Sequence, residues 1–97
     1  MKLPILFGEE AESEFESAKE WYEVEARYGA EFKKAVDEAI DLIAESPFRY
    51  SEVYRGVRRL IVKRFPYGVF YRVHLHHIKI IAIFHLHRDP RIWKSRK

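Results

Sequence analysis

The chain reads as an α+β domain in which an N-terminal strand and an antiparallel helical hairpin precede a three-stranded antiparallel meander, giving a mainly antiparallel four-stranded sheet. Three observations predict it. Two stretches of the first half carry apolar residues at helical spacing, the stretch from Arg58 to Trp93 alternates in strand fashion, and only short links separate one element from the next.

Leu3-Pro4-Ile5-Leu6-Phe7 suits a short strand, with Pro4 placing it at a sheet edge or marking the strand's first residue. From about Glu9 to Tyr28, the residues Ala11, Phe15, Ala18 and Tyr22 recur at spacings of four, three and four. They draw one apolar stripe down a helix whose acidic first turns suit its positive end. Gly29 is the expected stop. A second helix, from about Ala30 to Glu45, carries Phe32, Val36, Ala39 or Ile40, and Ile43 on one stripe. It ends at Ser46-Pro47, because the residue before a proline avoids the helical region. So short a link makes the two helices antiparallel, and their joint stripe can cover one face of the strands. Phe48 to Gly56 is expected as a connecting loop anchored by Tyr50 and Tyr54.

In the meander, a first turn at Phe65-Pro66 sets Leu60 and Val62 across from Tyr71 and Val69. A second at His76-His77 sets Tyr71 and Val73 across from Ala82 and Ile80. That face is the core. Alternation then sends Arg59, Ile61, Lys63, Phe70, Arg72, His74, Lys79, Ile81, Ile83 and His85 to the opposite, open face, where cations surround apolar and aromatic surface. His85 is expected opposite Gly68, among Arg72, Ile83 and Phe70, where burial and a neighbouring cation favour the neutral imidazole. The tail from Arg88 to Lys97 is basic around Trp93. It forms either a short final turn docked through the indole or a segment ordered by a partner.

Residues 1–97 offer room for one domain with one modest core. No apolar run approaches the ~20 residues of a membrane span, and Lys2 to Phe7 is too short for a signal peptide, so a cytoplasmic protein without membrane contact is expected. Zero cysteines remove thiolate nucleophiles, disulfides and cysteine zinc sites. The formal net charge of +3 hides a split: residues 1–48 hold five Lys/Arg against thirteen Asp/Glu, a net of −8, and residues 49–97 hold thirteen against two, a net of +11. Unless the halves neutralise one another across the fold, such polarity draws an anionic partner, nucleic acid or acidic peptide, to the strand side.

Five histidines fall at positions 74, 76, 77, 85 and 87. The pairs they form do not converge in this register, and no acid lies between 53 and 88 to complete a site, so neither metal nor cofactor is expected. No Gly-rich phosphate loop, Ser-His-Asp arrangement or paired carboxylates occur. Metal-free RNA cleavage needs only a base, an acid and cations around the scissile phosphate. Arg59, Lys63, Arg72, His85 and Arg88 supply those types.

The helical hairpin followed by VRRLIVKRFPYGVFYRV, the strand IKIIAIFH and the ending HRDPRIW resembles the RelE/ParE superfamily, toxins of type II toxin–antitoxin pairs often described as plasmid stabilisation proteins. The most specific parts are Arg58 with Arg59, Arg64-Phe65-Pro66-Tyr67, Tyr71-Arg72-Val73, and His85 followed by Arg88-Asp89-Pro90. Their order and spacing are closest to the ParE-like branch. The resemblance implies growth inhibition and a cognate antitoxin, encoded alongside, whose C-terminal segment wraps the toxin in a hetero-oligomer. It also implies a target, which is DNA gyrase for ParE proteins and mRNA on the ribosome for RelE proteins.

In the ribosome-dependent nucleases an arginine follows the aromatic that opens the strand resembling Tyr67 to Tyr71, and it steadies the phosphate. Gly68 stands there in this chain, Ile61 falls where a lysine would be wanted, and Trp93 lies near the place of the nucleases' C-terminal tyrosine. The expectation is therefore a toxin that binds rather than cuts. Its antitoxin- and target-binding residues would be Arg59, Lys63, Phe70, Arg72, Ile81, Ile83, His85, Arg88 and Trp93, with an acidic-apolar antitoxin segment over Phe70, Ile81 and Ile83. Two alternatives stand beside it: a RelE-like nuclease using His85 and Arg88 with Arg59, Lys63 and Arg72, and an inert relative kept as a binding module.

Overall fold

A computed structural model describes residues 2–97. The elements follow as β1 (Ile5–Phe7), α1 (Glu9–Ala26), α2 (Gly29–Glu45), β2 (Glu52–Tyr54), β3 (Val57–Ile61), β4 (Tyr67–Val73), β5 (Ile78–His85) and a terminal helical turn, α3 (Arg91–Lys94). The strands form one sheet in the order β1-β5-β4-β3-β2. It is antiparallel except where β1 runs parallel to β5.

The sheet has five strands where four were expected. Residues 52–54, read as part of a loop, fold back on β3 through a tight turn at Arg55-Gly56 and pair with it. The two tyrosines of this segment anchor it on opposite sides, Tyr50 against the helix-side core and Tyr54 against the other face. Arg58 holds the loop as well, donating to the carbonyls of Tyr50 at 2.7 Å and Phe48 at 3.3 Å. Tyr71 reaches Pro47 in the same way: its hydroxyl donates to that carbonyl at 2.6 Å, and burial pushes the phenol's pKa up to about 12.

Both helical stripes face the sheet. Ala11, Ala18, Phe32, Val36, Ala39 and Ile43 are buried there with Phe15 and Tyr22 packed against them. The joint between the helices differs from expectation. Arg27, not Gly29, takes the left-handed conformation that ends α1, at φ 59°, and its amide and that of Tyr28 bond back to Glu23 and Tyr22. Gly29 instead opens α2 where the two helices touch, since a β-carbon there would lie 2.8 Å from Cβ of Glu23.

Two features of the meander decide what faces where. Leu60 pairs with Val69 and Arg58 with Tyr71, a slip of two residues from the expected register that leaves every side chain on its expected face. It arises because residues 62–66 all lie in the turn, with Arg64 at φ 72° and the amide of Val62 closing onto Tyr67. The second feature does change faces. Phe70 pairs with Ala82 and Tyr71 with Ile80, so Ile81 is an extra residue, a β-bulge. Ile81 and Ala82 both lie on the side away from the helices, and from there onward the alternation is inverted. Ile83 joins the helix-side core, and Phe84 turns to the other face.

The bulge lies just past the end of β1, whose last rung runs from the Gly8 amide to the Ile80 carbonyl. The tail completes the edge. Arg96 forms a bidentate pair with Glu14 of α1, both bonds 3.0 Å and both side chains mostly buried. The same guanidinium donates to the Ile81 carbonyl at 3.0 Å, and Glu14 accepts the Ile83 amide at 3.2 Å. Arg72 in turn donates to the Arg96 carbonyl at 3.0 Å and the Arg55 carbonyl at 2.8 Å. Replacing Arg96 by Ala is expected to cost about 1.5–3 kcal/mol, the range for hydrogen bonds to charged groups, because Glu14 is left mostly buried without its partner. Chemical denaturation of the two proteins measures it.

His74 marks the far end of the sheet. Its ring stacks on His77 at 4.6 Å, and its Nε2 is buried without a hydrogen-bond partner. Burial first, then His77, Arg72 and Lys79, hold its pKa below the ordinary value. Near pH 6 the unfolded chain therefore binds more protons at this site than the folded one. The contribution is full above the unfolded value of about 6.5 and is lost as pH falls through the lowered folded value. Urea titrations between about pH 5 and 8 should show stability rising with pH, and His74→Asn should flatten that slope.

Candidate functional site

The face turned away from the helices is not open. Val57, Phe70, Ile81, Ala82, Phe84 and Trp93 form a second core there, with the Trp93 ring 4.6 Å from Phe70. Phe70 and Trp93 are each 4% exposed and Ile81 2%. The tail thus docks through its indole, and the apolar residues assigned to a partner are covered by the chain itself. Ile83, expected beside them, lies under the helices because of the bulge.

His85 moves for the same reason. It pairs with Tyr67 rather than Gly68 and stands edge-on to that ring at 5.2 Å, lining a cleft of about 340 Å³ with Ser17, Trp21, Tyr67 and Arg88. Its Nδ1 accepts the His87 amide at 3.1 Å. Burial raises the pKa of Tyr67 beside it, with Arg88 opposing. Sequence reasoning passed over Trp21, although an indole off the apolar stripe of α1 was the available signal; it is 57% exposed.

The expected cations separate into two groups. Arg72 is committed to the carbonyls of Arg96 and Arg55, and Lys63 lies exposed in the β3–β4 turn. Arg59 and Arg88 remain together. They line a second cleft, of about 250 Å³, with Val53, Phe84, His85, Trp93 and Lys94. Arg88 lies over the Phe84 ring at 4.7 Å and Lys94 over Tyr54 at 4.8 Å. Neither Arg59, Arg88 nor Lys94 has an ion-pair partner among the described residues. Lys94 was not foreseen, since only the docking of Trp93 brings it to the cleft wall. The nearby acid is neutralised: Asp89 is held by Arg91 at 2.7 Å, which keeps its carboxyl below the ordinary range.

Gly68 is buried beneath Arg59. A β-carbon at that position would lie 2.9 Å from Cε1 of Phe70 and 3.1 and 3.2 Å from Cγ and Cδ of Arg59. The Phe70 ring is itself packed on Trp93, the ring centres 4.6 Å apart and tilted by 36°.

Four of the five histidines form two pairs, His74 with His77 before β5 and His85 with His87 at its other end, the His85 and His87 rings 5.4 Å apart. Among the described residues no group of three or more His, Cys, Asp or Glu could hold a metal ion. Among the described residues no helix is long and apolar enough to cross a membrane.

Residues 5–90 match the family described as ParE toxin of type II toxin-antitoxin system, parDE. The chain belongs to the ParE toxin family. No curated protein matches its sequence. Among solved structures, a chain of the chromosomal ParDE toxin–antitoxin system from P. aeruginosa shares its fold at 17% identity, with a TM-score of 0.77 over 88% of this chain and 97% of that one. This ParE-family toxin therefore carries Arg59, Arg88 and Lys94 without ion-pair partners around one cleft, and its own side chains pack closely over Gly68. Gly68→Ala is expected to cost about 1–3 kcal/mol through overpacking against Phe70 and to displace the Arg59 stem. Thermal unfolding checks the first effect.

Proposed function

We propose that this toxin acts by binding a cellular target, DNA gyrase, and is neutralised by a cognate antitoxin, without cutting RNA itself. The observation that carries this reading is the close packing at Gly68. The nuclease relatives it resembles place an arginine on the scissile phosphate from the corresponding position. Here a β-carbon would already crowd the Phe70 ring at 2.9 Å and the Arg59 stem at 3.1 Å, so any side chain must displace them. Loss of one pre-organised cation from such a site typically lowers the rate on the order of 10²–10³. Arg72 does not replace it, since its guanidinium is tied to the Arg96 and Arg55 carbonyls. His85 borders both clefts beside Arg88, but its Nδ1 already accepts the His87 amide.

Antitoxin and target would then meet the residues still open to them. Of those expected from sequence, Arg59, Arg88 and His85 line clefts, while Phe70, Ile81 and Trp93 act indirectly by building the floor. The apolar part of an antitoxin segment needs side chains still in water. On the edge strand β1, Phe7, 36% exposed, supplies one next to Phe15 and Ile40, and Leu6, 50% exposed, supplies another on the opposite face of the strand.

Purified toxin is expected to inhibit gyrase supercoiling in a manner reversed by its antitoxin, and to leave mRNA on translating ribosomes uncut. Arg59→Ala with Arg88→Ala should weaken the inhibition at least tenfold. Codon-positioned cleavage that His85→Ala abolishes would sink the reading in favour of a nuclease. Normal growth at verified soluble expression would point to an inert relative.

A further inference from the structure

We infer that the cleft under the terminal turn and the adjoining cleft beside β2 form one groove that takes the phosphate backbone of a nucleic acid, irrespective of base sequence. The inference rests on the proposal that the Arg59–Arg88 cleft is the toxin's working surface, and it names what enters. The first cleft measures about 250 Å³ and the second about 340 Å³, and both are lined by Val53 and Arg59. Arg49 continues the row of cations into the second cleft; Arg88 and Lys94 stand in the first. None of the four has an ion-pair partner among the described residues. Residues 49–97 hold only two acids, Asp89, occupied by Arg91, and Glu52, which lines neither cleft.

These cations are positioned, not merely solvated. The Arg59 stem lies over Gly68, Arg88 over the Phe84 ring and Lys94 over the Tyr54 ring, so part of the ordering cost is met before a ligand arrives. The floor narrows the choice of ligand. Phe70 and Trp93 at 4% exposure and Phe84 at 1% are packed on one another and offer no ring for a base to stack on. In the first cleft they offer no empty slot for the apolar anchor that a peptide needs for tight binding, while the second cleft adds the exposed Val53 and Ile61 beside Arg49 and Arg59. A row of unpaired cations running through both clefts suits a ligand whose charge repeats along its length and whose affinity comes from counterion release, which is a phosphodiester chain.

Fluorescence anisotropy with the full chain tests it, using a labelled 20-base-pair DNA duplex, a labelled single-stranded RNA and polyglutamate, across a salt series. Salt-dependent binding to a nucleic acid is expected, with a log–log slope of roughly −3 to −4 for four phosphates on duplex DNA, and equal affinity for two unrelated sequences. Arg59→Gln with Arg88→Gln should reduce the slope's magnitude by about 2, whereas Lys34→Gln on α2 should leave it unchanged. Should the first pair fail to fold by circular dichroism, Arg49→Gln with Lys94→Gln carries the same expectation. The tighter of duplex and single strand identifies the source of the phosphates. Absence of salt-dependent binding, polyglutamate binding as tightly as nucleic acid, or an equal loss from Lys34→Gln would each overturn the inference. The assay contains no gyrase, so its failure leaves the choice of target standing, and a toxin indifferent to gyrase can still pass it.

Discussion

Beyond the short β1, the edge of β5 presents an Ile81 carbonyl and an Ile83 amide that no strand reaches. Buried backbone groups must find partners, and here one ion pair supplies both: Arg96 donates to the carbonyl and Glu14 accepts the amide. The pair does what a further strand would have done, with side chains drawn from residues 82 positions apart. Its cost is the desolvation of two charges, offset by bidentate geometry and by the backbone bonds that each partner makes. Because Arg96 must come to this edge, the tail must cross the sheet face, and Trp93 is carried onto Phe70 on the way.

That crossing sets what the surface can do. The apolar centre of the face is consumed by the molecule's own indole, and Arg72 is consumed in holding the tail's carbonyl. What remains is a basic rim around a filled floor. A surface of this kind attracts a partner electrostatically and fixes its orientation more than it grips by apolar burial. The close packing at Gly68 belongs to the same arrangement, since the Phe70 ring that approaches it also packs against Trp93.

Much of this was legible along the chain. The stripes of α1 and α2 were readable because a helical face repeats within a few residues, and Ala11, Ala18, Phe32, Val36 and Ile43 are buried as their spacing requires. The β3–β4 slip did no harm, since a shift of two residues preserves faces. The single inserted residue at Ile81 is a different matter. One residue inverts every later side chain of β5, which is why Ile83 and His85 were expected on the wrong side. Ile-Lys-Ile-Ile-Ala-Ile-Phe is apolar on both faces and carries no local mark of where the alternation breaks. β2 was missed because three residues paired at a sheet edge have too little pattern to be distinguished from a loop. Gly29 was misassigned because a glycine that ends one helix and a glycine that lets the next approach look alike in sequence.

The sequence by itself determined the two helices, the meander and its core-facing residues in β3 and β4, and the concentration of positive charge in the second half. These follow from local periodicity and from composition, which need no knowledge of distant contacts. Tertiary structure alone decided which cations are free and which face is covered. Those outcomes depend on Glu14 meeting Arg96 and on Trp93 meeting Phe70, encounters between residues far apart in the chain whose partners no local pattern names.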